Sequence, residues 1–313
     1  MQKILVTGAT GFIGQAVLQA LHQNHAPVVA GVREYSTTIA KNIEQIPLGD
    51  LSQTNDYHHL LSHIDIIIHS AARAHILHNK DSDPLSSFRQ VNTQATLMLA
   101  KQAAQAGVKR FIFLSSIKVN GEFTHVNAPF TPEINTAPSD PYALSKFEAE
   151  QGLKKLATQT NMEVVIIRPP LVYGPGVKAN FANLVKWVRW GIPLPFAGLN
   201  NKRAFIAIDN LVSFIIHCLY RPQAANETFL VSDGADISTA ELLRKVAKAQ
   251  GKQARLFSIP THWMRIAANC MGQQKITHRL FDSLEVDSSK TKQHLGWQAI
   301  VSMEEQLNRW LKK

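Results

Sequence analysis

The stretch Thr7-Gly8-Ala9-Thr10-Gly11-Phe12-Ile13-Gly14 joins a short apolar run, Ile4-Leu5-Val6, to a helical pattern over Gln15 to Asn24 whose Val17, Leu18 and Leu21 share one face. Few orders of elements accommodate three glycines at that spacing. Gly8 allows a tight turn, Gly11 lets a pyrophosphate approach the backbone, and Gly14 permits close helix packing, with helix N-terminal amides facing the anion. Gly8, Gly11, Phe12, Ile13 and Gly14 therefore form a candidate dinucleotide cradle, with the required strand before it and helix after it.

Further Val/Ile-rich runs follow at Val28 to Val32, Asp65 to His69, Phe111 to Leu114 and Val164 to Ile167, separated by longer helical patterns. That alternation predicts an α/β fold, a Rossmann-type doubly wound parallel sheet. Beyond residue 168 the pattern changes. Pro and Gly punctuate Arg168 to Leu199, and helices dominate. Ser238 with Glu241 and Ser302 with Glu305 have the spacing of capping boxes, and Gly251 suits a helix end. The expected organisation is a nucleotide-binding domain over 1–168, rejoined by a segment near 203–225, and a smaller, mainly helical substrate-binding domain over 169–313.

Composition excludes several classes. A chain of 313 residues with 45% hydrophobic content can bury a sizeable core. No stretch reaches the ~20 apolar residues of a membrane span, and the run Leu211 to Tyr220 is short and carries His217. The N-terminal apolar run is too brief for a secretory signal, so a cytoplasmic protein is expected. Cys218 and Cys270 make neither a disulfide framework nor a Cys-x-x-Cys metal site. The histidines lack metal-ligand spacing, so no metal is expected. The net charge is +10, but no run of five or more basic residues occurs, which argues against nucleic acid and suits small anions such as nucleotides.

The second strand ends Gly31-Val32-Arg33-Glu34. Arg33 suits a ribose 2′-phosphate and favours NADP; the alternative is NAD, with Arg33 solvated and Glu34 on the ribose hydroxyl. Tyr142 and Lys146 lie at i and i+4 on one helix face, behind Asp140 as N-cap and Pro141 at the first helical position. A lysine charge near a phenol stabilises phenolate, so the pair can form an acid/base. Ser115-Ser116 follows a strand at the carboxyl end of the sheet, where open α/β folds bind ligands.

Together these residues resemble the extended short-chain dehydrogenase/reductase superfamily, in its nucleotide-sugar epimerase/dehydratase branch. The resemblance covers almost the whole chain. It includes Thr7 to Gly14, Gly49-Asp50-Leu51, His69-Ser70-Ala71-Ala72, Val91-Asn92 with Thr96, Ser115-Ser116, Tyr142 with Lys146, Arg168-Pro169-Pro170-Leu171-Val172-Tyr173-Gly174-Pro175, and Leu295-Gly296-Trp297. It implies that Ser116 is the catalytic hydroxyl, Tyr142 the acid/base, and Lys146 the ribose ligand that lowers the tyrosine pKa. It further implies adenine contacts from Asp50 and Leu51, and cofactor contacts from Ala71, Ala72 and Pro169. Arg203 would clamp the diphosphate of a UDP-sugar, with Arg279 as a second ligand. Relatives often pair as homodimers, for which residues 88–106 and 142–156 are the candidate contact.

The chain departs from the family pattern where dehydratases carry Asp-Glu after the hydroxyl: here the residues are Ile117 and Lys118. Pro169-Pro170-Leu171 and Val119-Asn120-Gly121 depart from standard galactose epimerases. The segments Ser115 to Glu122, Arg203 to Phe205 and Val231 to Gly234 are most similar to a group from surface-polysaccharide loci. Some of its members reduce a UDP-4-keto-6-deoxy-N-acetylhexosamine. The expectation is thus an NAD(P)H-dependent 4-ketoreductase. A UDP-glucose or UDP-GlcNAc 4-epimerase with tightly bound NAD is the alternative, and a non-catalytic nucleotide sensor is a remote one.

Overall fold

Seven parallel strands form the frame of the computed structural model, which describes residues 2–53, 55–74, 83–125, 127–134, 136–260, 262–264 and 280–312. The strands are β1 (Ile4–Thr7), β2 (Val28–Val32), β3 (Glu44–Pro47), β4 (Ile66–His69), β5 (Arg110–Leu114), β6 (Glu163–Arg168) and β9 (Thr228–Leu230). A separate pair, β7 (Leu171–Tyr173) and β8 (Phe205–Ala207), lies between β6 and β9 in sequence. The main sheet runs β3-β2-β1-β4-β5-β6-β9. Its central strands are buried on both faces, which is why they are continuous Val/Ile runs. The strand order reverses between β1 and β4, and the carboxyl ends of those two strands flank the crevice where such sheets bind ligands.

Helices cover both faces. On one side, α1 (Phe12–Gln23) packs against α7 (Ile208–Tyr220), and Val17, Leu18 and Leu21 share a buried cluster with Leu211, Phe214 and Ile215. On the other, Leu99 and Ala103 of α4 (Ala95–Gln105) and Ala149 and Leu153 of α5 (Pro141–Gln159) pack on Leu5, Ile67, Phe111 and Ile166. Helix α1 begins at Phe12, three residues before the amphipathic pattern, because the glycine turn feeds directly into it. Asp140 caps α5 by accepting from the Ala143 N–H at 3.0 Å, and Pro141 follows it.

A second apolar cluster unites Tyr173, Phe181, Val185, Leu243, Val246 and Leu307. These residues come from β7 and from three helices, α6 (Ala179–Arg189), α8 (Thr239–Ala249) and α10 (Met303–Leu311). Ser302 and Glu305 make both bonds of a capping box at the start of α10, whereas Ser238 accepts from the Glu241 N–H at α8. Between α8 and α10 runs α9 (Ser289–Leu295), after which Leu295 and Trp297 join the α1–α7 cluster. Asp233 ties the parts together: it accepts from the Tyr173 hydroxyl at 2.7 Å, the Ala207 N–H at 2.9 Å and the Asn210 amide at 2.7 Å. No helix among the described residues is long and apolar enough to cross a membrane.

Candidate active site

The glycine turn sits at the switch point. Gly8 has φ +67°, and a Cβ there would come within 2.7 Å of the Ala71 nitrogen; a Cβ at Gly14 would collide with the Gly8 carbonyl. Only glycine lets these two segments close on each other while the amides at the start of α1 stay open. Gly11 is exposed at the N-cap of α1, with Phe12 and Ile13 half-buried behind it. On the neighbouring strand end, Ser70 donates to the Thr7 carbonyl at 2.7 Å, placing Ala71 against Gly8 and leaving Ala72 exposed. A side chain at Gly8 or Gly14 would push these segments apart and open the turn that shapes this candidate cradle.

Arg33 follows β2 and is exposed, and its carbonyl accepts from the Gly49 N–H at 3.2 Å. That contact brings it beside Asp50 and Leu51, both half-buried. Asp50 accepts from the Ser52 N–H and hydroxyl at 2.9 and 2.8 Å, which holds its carboxyl below the usual range, with smaller help from the Arg33 and Arg73 charges. Arg33, Asp50 and Arg73 form one electrostatic group at this end of the crevice.

Ser116 and Tyr142 come together at the mouth of β5. Ser116 caps the short 3-10 turn Ile117–Val119 by accepting from the Lys118 N–H at 3.3 Å, and the Pro169 carbonyl accepts from the Ile117 N–H at 3.0 Å. Tyr142 lies in the first turn of α5, edge-on to Phe88 with ring centres 5.7 Å apart. Burial pushes its pKa up to about 12, while the nearby Ser116 hydroxyl pulls the other way. Lys118 stands 6.0 Å from the ring centre and pairs with Glu122 and Asp140.

Lys146 is one turn along α5 and buried, and its ammonium donates to the Leu114 carbonyl at 2.9 Å over the Phe113 ring. Burial lowers its pKa to about 7, opposed by the charge of Glu150. Beneath it, His69 bridges the Thr7 and Thr96 hydroxyls at 2.8 and 3.0 Å. Burial, with a smaller contribution from Lys146, holds that imidazole neutral with a pKa of about 3.

Sequence reasoning passed over a network that supports this face. Glu150 is fully buried, accepts from Ser115 at 2.5 Å and pairs with Arg168 at 2.5 Å. Arg168 also donates to Asn120 and to the Pro132 carbonyl. Glu150 continues the i, i+4 series of Tyr142 and Lys146, so the signal was in the spacing. A π-helical turn, Arg89–Gln94, aims Asn92 at Ser145, 3.0 Å away, and at the Arg73 backbone.

Arg203 is half-buried, bridges Ile237 through its backbone and donates to the Asp282 carbonyl at 2.7 Å. Its neighbour Ala204 and Ile117, the residue after Ser116, pack in one small cluster with Leu230 and Leu284, which brings the Arg203 segment to the Ser116 side of the crevice. Arg279 and Cys270 lie outside the described residues. Among the described residues no group of three or more His, Cys, Asp or Glu could hold a metal ion.

Residues 4–232 match the profile of the NAD dependent epimerase/dehydratase family. The chain belongs to that family. It is 45% identical over 305 residues to a UDP-glucose 4-epimerase of Vibrio cholerae, covering 97% of this chain and 93% of the relative. It is 27% identical over 262 residues to an N-acetyl-alpha-D-glucosaminyl-diphospho-ditrans,octacis-undecaprenol 4-epimerase of Escherichia coli O157:H7, covering 82% and 75% of the two chains. Among solved structures, its fold matches that of a UDP-glucuronic acid 4-epimerase from Bacillus cereus in complex with NAD. The TM-score there is 0.79 at 22% identity, over 99% of this chain and 98% of the other.

Proposed function

We propose that the protein is an NAD-dependent enzyme acting at C4 of a UDP-hexose, and within that class a UDP-glucose-type 4-epimerase. The observation that carries this reading is the 45% identity to the Vibrio cholerae UDP-glucose 4-epimerase, which spans both apolar clusters and the site between them. The Ser116–Tyr142 pair at the crevice mouth is consistent with it.

In this reading Gly8, Gly11, Phe12, Ile13 and Gly14 hold the pyrophosphate of the dinucleotide, with Ala71, Ala72 and Pro169 along its length. Asp50 and Leu51 border the adenine, and Lys146 holds the nicotinamide ribose. When bound, the nicotinamide supplies reversible hydride transfer at C4. Tyr142 takes the proton of the C4 hydroxyl and returns it to the keto oxygen, and Ser116 hydrogen-bonds that oxygen throughout. Arg203 binds the diphosphate, so the hexose can turn its other face without leaving.

A second reading, 4-ketoreduction of a UDP-2-acetamido-2,6-dideoxy-4-hexulose, is favoured by the exposed Arg33 at the β2 end, which suits an exchangeable NADPH. Purified protein is incubated with UDP-glucose or UDP-GlcNAc without added nicotinamide. Formation of the galacto isomer supports epimerisation. Inertness there, with oxidation of NADPH only when the 4-keto sugar is supplied, replaces it with reduction.

A further inference from the structure

The surplus charge is confined to part of the chain. Residues 164–208 and 242–264 contain eleven Lys and Arg and no Asp or Glu, so they hold the whole of the net +10. Some of these cations are spent internally: Arg168 on Glu150, Lys202 on Glu285, and Lys245 and Lys248 on Glu304. Lys186, Arg189, Lys252 and Arg255 are exposed and form no ion pair among the described residues.

These four lie together. The Lys252 ammonium donates to the Arg189 carbonyl at 2.5 Å, and Gly191 faces the Arg255 guanidinium. The chain after α6 pairs with residues 255–257: the Leu194 N–H donates to the Arg255 carbonyl and the Phe257 N–H to the Leu194 carbonyl. Alternation along the second segment turns Leu256 inward and sends Arg255 and Phe257 outward on one face. A cavity of about 670 Å³ opens beside the patch, lined by Arg189, Lys252, Arg309, Gln250 and Trp310.

Large apolar side chains stand among the cations. Trp190, next to Arg189, is 69% exposed, and Phe257, two residues from Arg255, is 45% exposed. Ile192 and Pro193 are exposed between Trp190 and the paired segment. A nucleic acid would use cations and flat rings, but it has no use for an Ile-Pro tip. An anionic bilayer uses all three: cations for the headgroup phosphates, Trp at the interface, and aliphatic groups below it. Charge complementarity selects the occupant, because the segments that build this face carry cations and no acidic residue to repel a negative surface.

We infer that this face, built from the end of α6, the 190–194 turn and residues 252–257, docks the protein peripherally on anionic lipid headgroups. The contact is distinct from the crevice and does not depend on the reaction assigned there.

The test is co-sedimentation of the full chain with vesicles of phosphatidylcholine alone or mixed with phosphatidylglycerol, at low and high salt. The expected result is binding to the anionic vesicles only, weakened at least tenfold by salt. Arg189→Glu/Lys252→Glu/Arg255→Glu should abolish it. Trp190→Ala/Phe257→Ala should weaken it about tenfold, with turnover of soluble UDP-sugar unchanged in both variants as evidence of intact folding. Equal binding to both vesicle types, or none, overturns the inference. Binding to heparin or single-stranded DNA that matches the vesicle affinity and ignores the aromatic substitutions also overturns it, in favour of a polyanion site.

Discussion

Lys146 follows Tyr142 by one helical turn, yet its ammonium donates to the Leu114 carbonyl at 2.9 Å, while the hydroxyl that acts on the Tyr142 phenol is that of Ser116. The two groups therefore serve different partners from one helix face. In the proposed reaction the serine and tyrosine address the reacting oxygen, and the lysine is anchored to the end of β5.

Removing the phenol tests the acid/base assignment. Tyr142→Phe should lower kcat by about 10²–10⁴ with little change in KM, and Ser116→Ala should lower it by about 10². Steady-state rates with a UDP-hexose decide; full activity in the phenylalanine variant removes Tyr142 from the chemistry.

Two buried bases give stability a pH dependence of known sign. Lys146 falls from 10.5 to about 7 on folding and His69 from 6.5 to about 3. Between each pair of values the unfolded chain binds the extra proton. Stability therefore rises with pH over both windows, by up to about 1.4 kcal/mol per pH unit for each group. The melting temperature of wild type should rise relative to that of Lys146→Met as pH goes from 7 to 10. A constant difference would mean that Lys146 does not titrate there.

Glu150 and Arg168 are fully buried partners 2.5 Å apart. Glu150→Gln leaves the guanidinium without its counter-charge and should cost about 3–5 kcal/mol in urea unfolding. Glu150→Leu/Arg168→Met should recover most of that loss. If the double variant is no better than the single one, the packing around the pair matters more than its charge.

Arg33 is exposed at the end of β2, within electrostatic reach of Asp50. Under the reductase reading, Arg33→Ala should raise the KM for NADPH about tenfold or more and leave that for NADH within about twofold, since only the former carries a 2′-phosphate. Equal changes would assign Arg33 to a part shared by both dinucleotides.

The parts legible in sequence are those written in local pattern. The strands at Ile4, Val28, Ile66, Phe111 and Val164 are Val/Ile runs because both faces of the sheet are covered. β3, Glu44–Pro47, escapes because an edge strand is half polar and ends in proline. β7, β8 and β9 are three residues each and take their meaning from partners far along the chain. In the site, Tyr142, Lys146 and Ser116 stand out by spacing and position. The Glu150–Arg168 pairing and the anchoring of Lys146 on Leu114 join different elements, and the burial that shifts Lys146 and His69 has no local signature.

The two faces of the sheet draw on different lengths of chain. The face under α4 and α5 is built entirely from residues that precede Arg168. The opposite face needs Ile206 to Leu219, Phe229, Leu295 and Trp297. On the ribosome, one side can therefore close once Arg168 has emerged, while Val17, Leu18 and Leu21 remain uncovered until α7 arrives. A stalled or truncated product would present that apolar stripe to chaperones and proteases, and the sheet is covered on both sides only once Trp297 has been made.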